Sequence, residues 1–290
     1  MTWEQVWANP QIKELIALGI REDIGTGDHS TLASISESTK GSAKMIAKQD
    51  AYIAGIPLAI EIFHSIDPAL TISVKLKEGA FIRKGEIIME VYGNARSILS
   101  AERLVLNFIQ RMSGITTLSQ HFASIAKSYR TKILDTRKTT PGHRLLEKYA
   151  VNIGGCSNHR IGLYDMIMLK DNHIDFCGGI EHSINKTKDY LKVNNLNLKI
   201  EIETRSLQEV QEVLSVGGVD VIMLDNFNPT EIQEALKLIN GAVLTEASGG
   251  ISEHNLVDYL KTGVDFISIG ALTHSSKNID ISLKTVLEKK

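Results

Sequence analysis

The chain has 290 residues, with 43% hydrophobic and 23% charged residues. This is globular composition, long enough for about two domains or for one barrel of about 250 residues. Lys+Arg total 32 and Asp+Glu 34, for a net charge of -2. There is thus no global basic field, nucleic-acid binding is not expected, and any anion site must be built locally. Cys156 and Cys177 form no C-x-x-C pair and fit a reducing compartment. The N-terminus has neither a basic region nor an apolar core of signal-peptide type, and no apolar run reaches about 18–20 residues. The expectation is a cytoplasmic protein with no membrane contact.

Residues 3–19 read as one helix, with Val6, Ile12, Leu15, Ile16 and Leu18 at near-helical spacing. Arg21 to Thr31 follows as a turn-rich acidic loop. Residues 42–92 read as β-rich. Thr71 to Leu76 alternates as a half-buried strand does, and Glu78 to Gly93 reads as two short strands around a Gly-containing turn. Residues 100–127 form a long helical pattern. Leu104, Leu106, Phe108, Ile109, Met112 and Ile115 make its apolar side, with Arg103, Asn107 and Arg111 largely on another.

The second half has a different rhythm. Short apolar strands at 132–135, 166–170, 198–203, 221–225, 242–246 and 266–270 end in polar or glycine residues, and helix-like stretches usually follow. Their ends lie 21 to 35 residues apart, which suits serial βα units and a parallel sheet. Six strands fall short of the eight of a full barrel. A barrel with a strand missed or missing is the first expectation and an open doubly wound sheet the second. The domain boundary is placed near residue 115, giving 1–115 and 116–274, with 275–290 a candidate to rejoin the first domain.

In parallel α/β folds, ligands bind beyond the carboxyl ends of the strands. Those ends carry Arg137 and Lys138, then Lys170, Asp171, Asn172 and His173, then Glu203, then Asp225 and Asn226, then Glu246 and Ser248. Such a series points to an anionic substrate handled together with carboxylates. The Ser248-Gly249-Gly250 and Gly270 loops follow the last two strands, where barrels often bind phosphate. No P-loop motif is present. Thr136, Arg137 and Lys138, with Asn158, His159 and Arg160, add hydroxyls and cations suited to carboxylate or phosphate. Glu203 and Asp225 suit Mg²⁺ beside a phosphate, or alternatively a general acid/base pair. No zinc spacing occurs. Cys156 near His159 lacks an acyl-transfer constellation. Lys170 at a strand end leaves a Schiff-base aldolase as the mechanistic rival.

Long strings here resemble the quinolinate phosphoribosyltransferase family. They are Glu22 to Asp28, Ala101 to Ile115, Asp135-Thr-Arg-Lys-Thr-Thr-Pro-Gly142, Asn158-His-Arg160, Leu169 to Ile174, Met223 to Asn226, Ala247 to Ile251 and Gly270 to Ser275. Cys156 and His143 depart from the family's usual residues. The resemblance implies an N-terminal α/β sandwich domain plus an incomplete (β/α) barrel. It implies transfer of phosphoribose from phosphoribosyl pyrophosphate to quinolinate with loss of CO₂, giving nicotinate mononucleotide and pyrophosphate, with Mg²⁺ as cofactor. It also implies a homodimer, or an assembly of dimers, whose site is completed across the interface by Arg103. On this reading Lys138, Lys170, Glu203 and Asp225 are catalytic. Arg103, Thr136, Arg137, Lys138, His159, Arg160, Lys170, Ser248, Gly249, Gly250 and Gly270 bind substrate, and Glu203 and Asp225 hold the metal.

Two further rivals remain at this point. One is a nicotinate-type phosphoribosyltransferase, whose single-carboxylate substrate needs fewer cations. The other is a non-catalytic carrier or binding module, faintly echoed in the glycine-containing turn of residues 77–93.

Overall fold

The computed structural model describes residues 1–286. Two compact units form from discontinuous segments. The first comprises Met1–His121, Thr139–Gly155 and the chain from Leu272 onward; the second comprises Phe122–Lys138 and Cys156–Ala271.

The first unit opens with helices α1 (Trp3–Trp7), α2 (Pro10–Ile24) and α3 (His29–Ser34). The single helix expected over 3–19 is therefore divided. Pro10 has no N–H to donate and its ring clashes with the preceding turn, so it can only start a helix. Asn9 caps that start, its Oδ1 accepting from Gln11 N at 3.0 Å. Helix α2 runs to Ile24, taking in residues expected to be loop. Asp28, from the acidic Gly loop, caps α3 by accepting from Thr31 N at 3.0 Å, and it also accepts from Ser100 Oγ at 3.2 Å.

The β-rich stretch supplies β1 (Lys40–Ala47), β2 (Ala51–Tyr52), β3 (Thr71–Val74), β4 (Phe81–Ile82) and β5 (Ile87–Asn94). It also holds a helix the pattern concealed, α4 (Ile56–Ile66). Its isoleucines favour strand, but Gly55 at φ 95° starts a helix instead. Glu78 fixes that start, Oε1 accepting from Gly55 N at 2.7 Å and Oε2 from Ile56 N at 2.9 Å. Burial holds the Glu78 carboxyl above its usual range. β4 and β5 do not pair with each other. β4 pairs with β2, and β5 joins an antiparallel sheet with β1, β3 and β12 (Ile281–Val286), in the order β12-β1-β5-β3. Helix α5 (Ala95–Ala126) follows β5.

In the second unit the strands β6 (Lys132–Leu134), β7 (Ile167–Leu169), β8 (Ile200–Thr204), β9 (Val221–Asp225), β10 (Leu244–Ser248) and β11 (Phe266–Ser268) form one parallel sheet. Their order is β6-β11-β10-β9-β8-β7. Among the described residues no pairing joins β6 to β7, so the ring of strands is incomplete. The connecting helices are α7 (Asp171–Cys177), α8 (Ile180–Val193), α9 (Leu207–Val216), α10 (Pro229–Ile239) and α11 (Leu256–Leu260), with α12 (Ala271–His274) after β11. α6 (Arg144–Ile153) belongs to the first unit.

That last assignment departs from a division at residue 115 into contiguous halves. Its physical basis is a buried ion pair. Arg111, on α5, donates to Glu147 Oε1 from Nε at 3.1 Å and from Nη2 at 2.9 Å. Glu147 is 1% exposed and also accepts from Thr140 Oγ1 at 2.8 Å. Arg111 further donates to Ser276 O at 3.1 Å and to Thr273 O. One guanidinium thus ties residues 139–155 and the segment after Leu272 to the long helix. Removing one partner of a buried pair typically costs about 3–5 kcal/mol. Glu147→Ala is expected to lower unfolding free energy by about that much in urea titration. A loss below about 1 kcal/mol would mean that the tie contributes no more than a surface pair.

Candidate active site

Register decides which side chains share a face. Residues two apart on a strand point the same way, and paired residues of neighbouring strands do too. Glu203 pairs with Met223, and Met223 with Glu246. Glu201 pairs with Val221, and Asp225 with Ser248. One face therefore carries Glu201, Glu203, Asp225, Glu246 and Ser248. The opposite face carries Ile202, Ile222, Leu224, Ala247 and Ile267, all fully buried. An apolar outer layer with a polar inner face is a barrel arrangement in which the lumen is built for charge.

Lys170 begins α7, directly after β7, and its Nζ lies 2.8 Å from Glu203 Oε2. His173 holds this turn, its Nδ1 accepting from Lys170 N at 3.0 Å. Asp225 ends the next strand but one from β7. Burial, followed by the charge of Glu203, holds its carboxyl above the usual range. Asn226 sits at φ 59°, donates from Nδ2 to Asp225 Oδ2 at 2.6 Å and from N to Ser248 O at 2.8 Å. Gly249, at φ 93°, leaves no room for a side chain, since a Cβ there would lie 2.2 Å from Asn226 Oδ1. The chain thus brings Lys170, Glu203, Asp225 and Ser248–Gly250 together at one end of the sheet. Gly270 follows β11, the strand beyond β10.

The donor chemistry fits Mg²⁺. Glu203 and Asp225 offer hard carboxylate oxygens on neighbouring strands, near enough for one charge to act on the other.

The basic segment is held by a buried aspartate. Asp135 is completely buried and accepts from Asn158 Nδ2 at 2.7 Å and from His159 N at 2.8 Å. Ser157 bridges to Leu134, so residues 157–159 run beside β6. Asp165 then accepts from Ile161 N at 2.7 Å and Gly162 N at 2.8 Å. Arg160 donates from Nη1 to Met166 O at 3.1 Å, while its buried Nε has no hydrogen-bond partner. Burial and the charge of Arg137 both hold the Arg160 guanidinium below its usual range. Thr136 Oγ1 accepts from Lys138 N at 3.1 Å, and Lys138 is exposed.

One placement changes: Glu246, expected at the strand end among the residues of the mouth, is 1% exposed. It lies one register step below Asp225's level, inside the sheet's polar face. The His159 ring meets protein groups on both edges: Nδ1 accepts from Arg160 N at 2.7 Å, and Nε2 lies 3.0 Å from Glu201 Oε2 and 3.4 Å from Glu246 Oε2. Glu201 was not singled out by sequence. It is a buried carboxylate in mid-strand, and the signal was the alternation of Glu201 and Glu203 within an otherwise apolar strand. Arg103 is exposed on α5, in the first unit. Cys156 is buried, and burial with the nearby Asp135 charge pushes its thiol up to about 12, which disfavours the reactive thiolate.

Comparison with known proteins follows this geometry. Residues 28–113 match the N-terminal domain model of quinolinate phosphoribosyl transferase, and residues 115–284 match the C-terminal domain model. The chain is 45% identical over 288 residues to the chloroplastic nicotinate-nucleotide pyrophosphorylase [carboxylating] of Arabidopsis thaliana, covering 94% of this chain and 82% of that one. It is 43% identical over 277 residues to the probable enzyme of the same name from Bacillus subtilis, covering 96% and 94%. The nicotinate-nucleotide pyrophosphorylase structure from Francisella tularensis superposes with a TM-score of 0.88 at 37% identity, covering 96% of each chain. With both domain models matched in order and this identity sustained along nearly the whole chain, the protein belongs to the quinolinate phosphoribosyltransferase family.

Proposed function

We propose that the protein joins quinolinate to the ribose of phosphoribosyl pyrophosphate and releases pyrophosphate and CO₂, leaving nicotinate mononucleotide. The observation that carries this reading is the crowding of Arg137 and Arg160. The two guanidiniums act on each other electrostatically, and a buried Nε of Arg160 makes no hydrogen bond, so an anion placed beside them would be favoured. Quinolinate carries adjacent carboxylates and supplies two negative charges. Lys138 and Lys170 add point charges at the same end of the sheet.

Phosphoribosyl pyrophosphate occupies the remainder of that end. The Ser248-Gly249-Gly250 and Gly270 loops receive the 5′-phosphate, where backbone can approach closely. Glu203 and Asp225 would hold Mg²⁺, which when bound would supply neutralising charge for pyrophosphate. Arg137 and Arg160 hold the pyridine ring so that its nitrogen meets the anomeric carbon as the C–O bond to pyrophosphate breaks through an oxocarbenium-like state. Lys138 and Lys170 stabilise charge on the leaving group. The ring nitrogen is then a pyridinium, whose positive charge stabilises the electron pair left on C2 when the 2-carboxylate departs as CO₂, and C2 then takes up a proton.

The ion pair between Lys170 and Glu203 weighs against a Schiff-base aldolase, which requires a free amine. The number of cations weighs against a nicotinate-type enzyme. The human nicotinic acid phosphoribosyltransferase structure is only 13% identical, a likeness of fold. Arg103 is assigned to the partner subunit's site in a homodimer. Neither cysteine is in a disulfide, which suits a reducing compartment such as the cytoplasm; no described helix is long and apolar enough to cross a membrane.

The deciding experiment supplies quinolinate, phosphoribosyl pyrophosphate and Mg²⁺ to the purified protein and follows nicotinate mononucleotide and CO₂ together. Both products, lost on omitting Mg²⁺, are expected; neither product from folded protein would overturn the assignment. Lys138→Ala and Lys170→Ala are each expected to lower kcat about 100-fold, as for loss of one charge-stabilising donor. Near-wild-type turnover in either would remove that lysine from the mechanism. Mixing inactive Arg103→Ala with inactive Lys138→Ala subunits is expected to restore activity through sites of mixed parentage. No recovery in verified heterodimers would return Arg103 to its own subunit's site or to none.

A further inference from the structure

All three guanidinium nitrogens of Arg111 are engaged, and the groups they meet come from two stretches of chain far apart in sequence. Nε and Nη2 donate to Glu147 Oε1 at 3.1 and 2.9 Å. Nη2 also donates to Thr273 O, and Nη1 donates to Ser276 O at 3.1 Å and to Ser276 Oγ at 3.0 Å. Each stretch is the immediate continuation of a loop assigned to substrate.

The first leads out of the Arg137-Lys138 loop. Thr140, two residues after Lys138, donates from N to Glu147 Oε2 at 3.2 Å and from Oγ1 to Glu147 Oε1 at 2.8 Å. Thr139 Oγ1 accepts from Arg144 Nε at 3.0 Å, and Thr140 O accepts from His143 N at 3.0 Å. His143 stacks on Phe108 of α5, with ring centroids 5.3 Å apart. The exit of this loop is therefore pinned to the start of α6, and α6 to α5.

The second leads out of the Gly270 loop. Thr273 and Ser276 follow Gly270 by three and six residues. Beyond them, Ile279 N donates to Gln110 O at 3.1 Å, and Gln110 Nε2 donates to Ile281 O at 2.8 Å. Gly114 lets this segment lie close against α5, since a Cβ there would stand 2.1 Å from Lys277 O. Arg111 sits between Gln110 and Gly114 on the same helix, so its fork meets a segment already held on both sides.

We propose that Arg111 is a positioning residue for both substrates at once. Through Glu147 it fixes the chain that has just carried Arg137 and Lys138, and through Thr273 and Ser276 the chain that has just carried Gly270. All of these contacts lie within the first unit, and Lys138 and Ala271 are the last residues of the two stretches that lead into it. The effect thus passes along a few peptide bonds. A loop whose exit is fixed before binding loses less conformational entropy when the substrate arrives. Positive charge alone does not suffice. A lysine would keep the charge beside Glu147, but a single ammonium cannot span the acceptors that the three nitrogens of the fork now meet. What the two loops bind is taken from the proposed function.

The first test needs no substrate. Hydrogen exchange of the whole protein, read peptide by peptide, is expected to be at least about tenfold faster in Arg111→Lys over both 139–144 and 273–279, and within about twofold of wild type over 200–225. Acceleration in only one segment, in neither, or equally over 200–225 would overturn the shared tie. The second test is kinetic. Arg111→Lys is expected to raise KM for quinolinate and KM for phosphoribosyl pyrophosphate at least about fivefold each. Thr140 is exposed, so Thr140→Val cuts one arm without opening the core. It is expected to raise KM for quinolinate at least about threefold and to leave KM for phosphoribosyl pyrophosphate within about twofold. Thr140→Ser restores the hydroxyl and is expected to bring KM for quinolinate back within about twofold of wild type. A merely structural tie would reduce the fraction of active protein, and so kcat, without moving either KM. Unchanged KM values in Arg111→Lys, or a Thr140→Ser no better than Thr140→Val, would therefore overturn the proposal. Absence of quinolinate turnover in the unsubstituted protein would overturn the proposed function instead, and leave the exchange measurement to decide this inference.

Discussion

Two guanidinium groups brought together out of water repel each other, and the site end of the parallel-sheet unit is organised around containing that repulsion. Arg137 and Arg160 arrive on separate segments. The second of these, residues 157–166, has no helix or strand of its own. What holds it is a set of buried or bridging acids: Asp135 beneath Asn158 and His159, and Asp165 beneath Ile161 and Gly162. A loop fixed by carboxylates rather than by a ladder can present a cation at a defined angle. The cost is a substantial density of buried negative charge, which the polar face of the sheet carries at Glu201, Glu203 and Glu246. Each of these has a cationic or proton-bearing neighbour, Lys170 for Glu203 and His159 for the other two. Among these groups Arg160 Nε is buried and makes no hydrogen bond.

The architecture explains why much of this was legible before any coordinates. A parallel strand buried on both faces reads as a short apolar run that ends where the chain leaves the sheet. Val221–Asp225 could therefore be bounded from its residues alone, and the structure gives the same limits. Strand-end charges are legible for the same reason, which brought out Lys170, Glu203 and Asp225. What was not legible depends on long-range pairing. Ile56–Ile66 is rich in β-branched residues and reads as strand, but a glutamate 22 residues away caps it as a helix. Pro10 was visible as a breaker, yet the apolar spacing on both sides of it suggested continuity. Two of the strand assignments also began two residues early, at Leu198 and at Ala242, because Leu198 and the pair Ala242-Val243 continue the apolar character of β8 and β10 into the preceding loops.

The site was legible by type more than by role. Sequence brought His159 forward as a cation because it adjoins Arg160. Its ring meets Glu201 and Glu246, and these come from strands that are not neighbours in sequence or in the sheet, since β9 lies between β8 and β10. Spacing along the chain carries no trace of that meeting. The same holds for Arg111, which looked like one of several polar positions on a long helix. Its partner Glu147 follows 36 residues later, and the pair draws residues 139–155 out of the unit in which their neighbours fold.

This division of labour bears on why the chemistry needs so many charges. A single-carboxylate pyridine would be held adequately by one bidentate arginine. Here the arginines come as a pair with added lysines, and the fold commits buried aspartates and glutamates to keep them in place. Orienting both carboxylates fixes the ring nitrogen against the ribose and also fixes the 2-carboxylate relative to the ring. The second point matters for loss of CO₂, because the breaking bond must lie where the emerging electron pair is stabilised by the adjacent ring nitrogen cation. On the proposed function, a rigid clamp on the dianion would serve both steps with one set of side chains. On that account the buried acids far from the mouth belong to the reaction as much as the lysines at its edge, since they determine whether the clamp is formed before the substrate arrives.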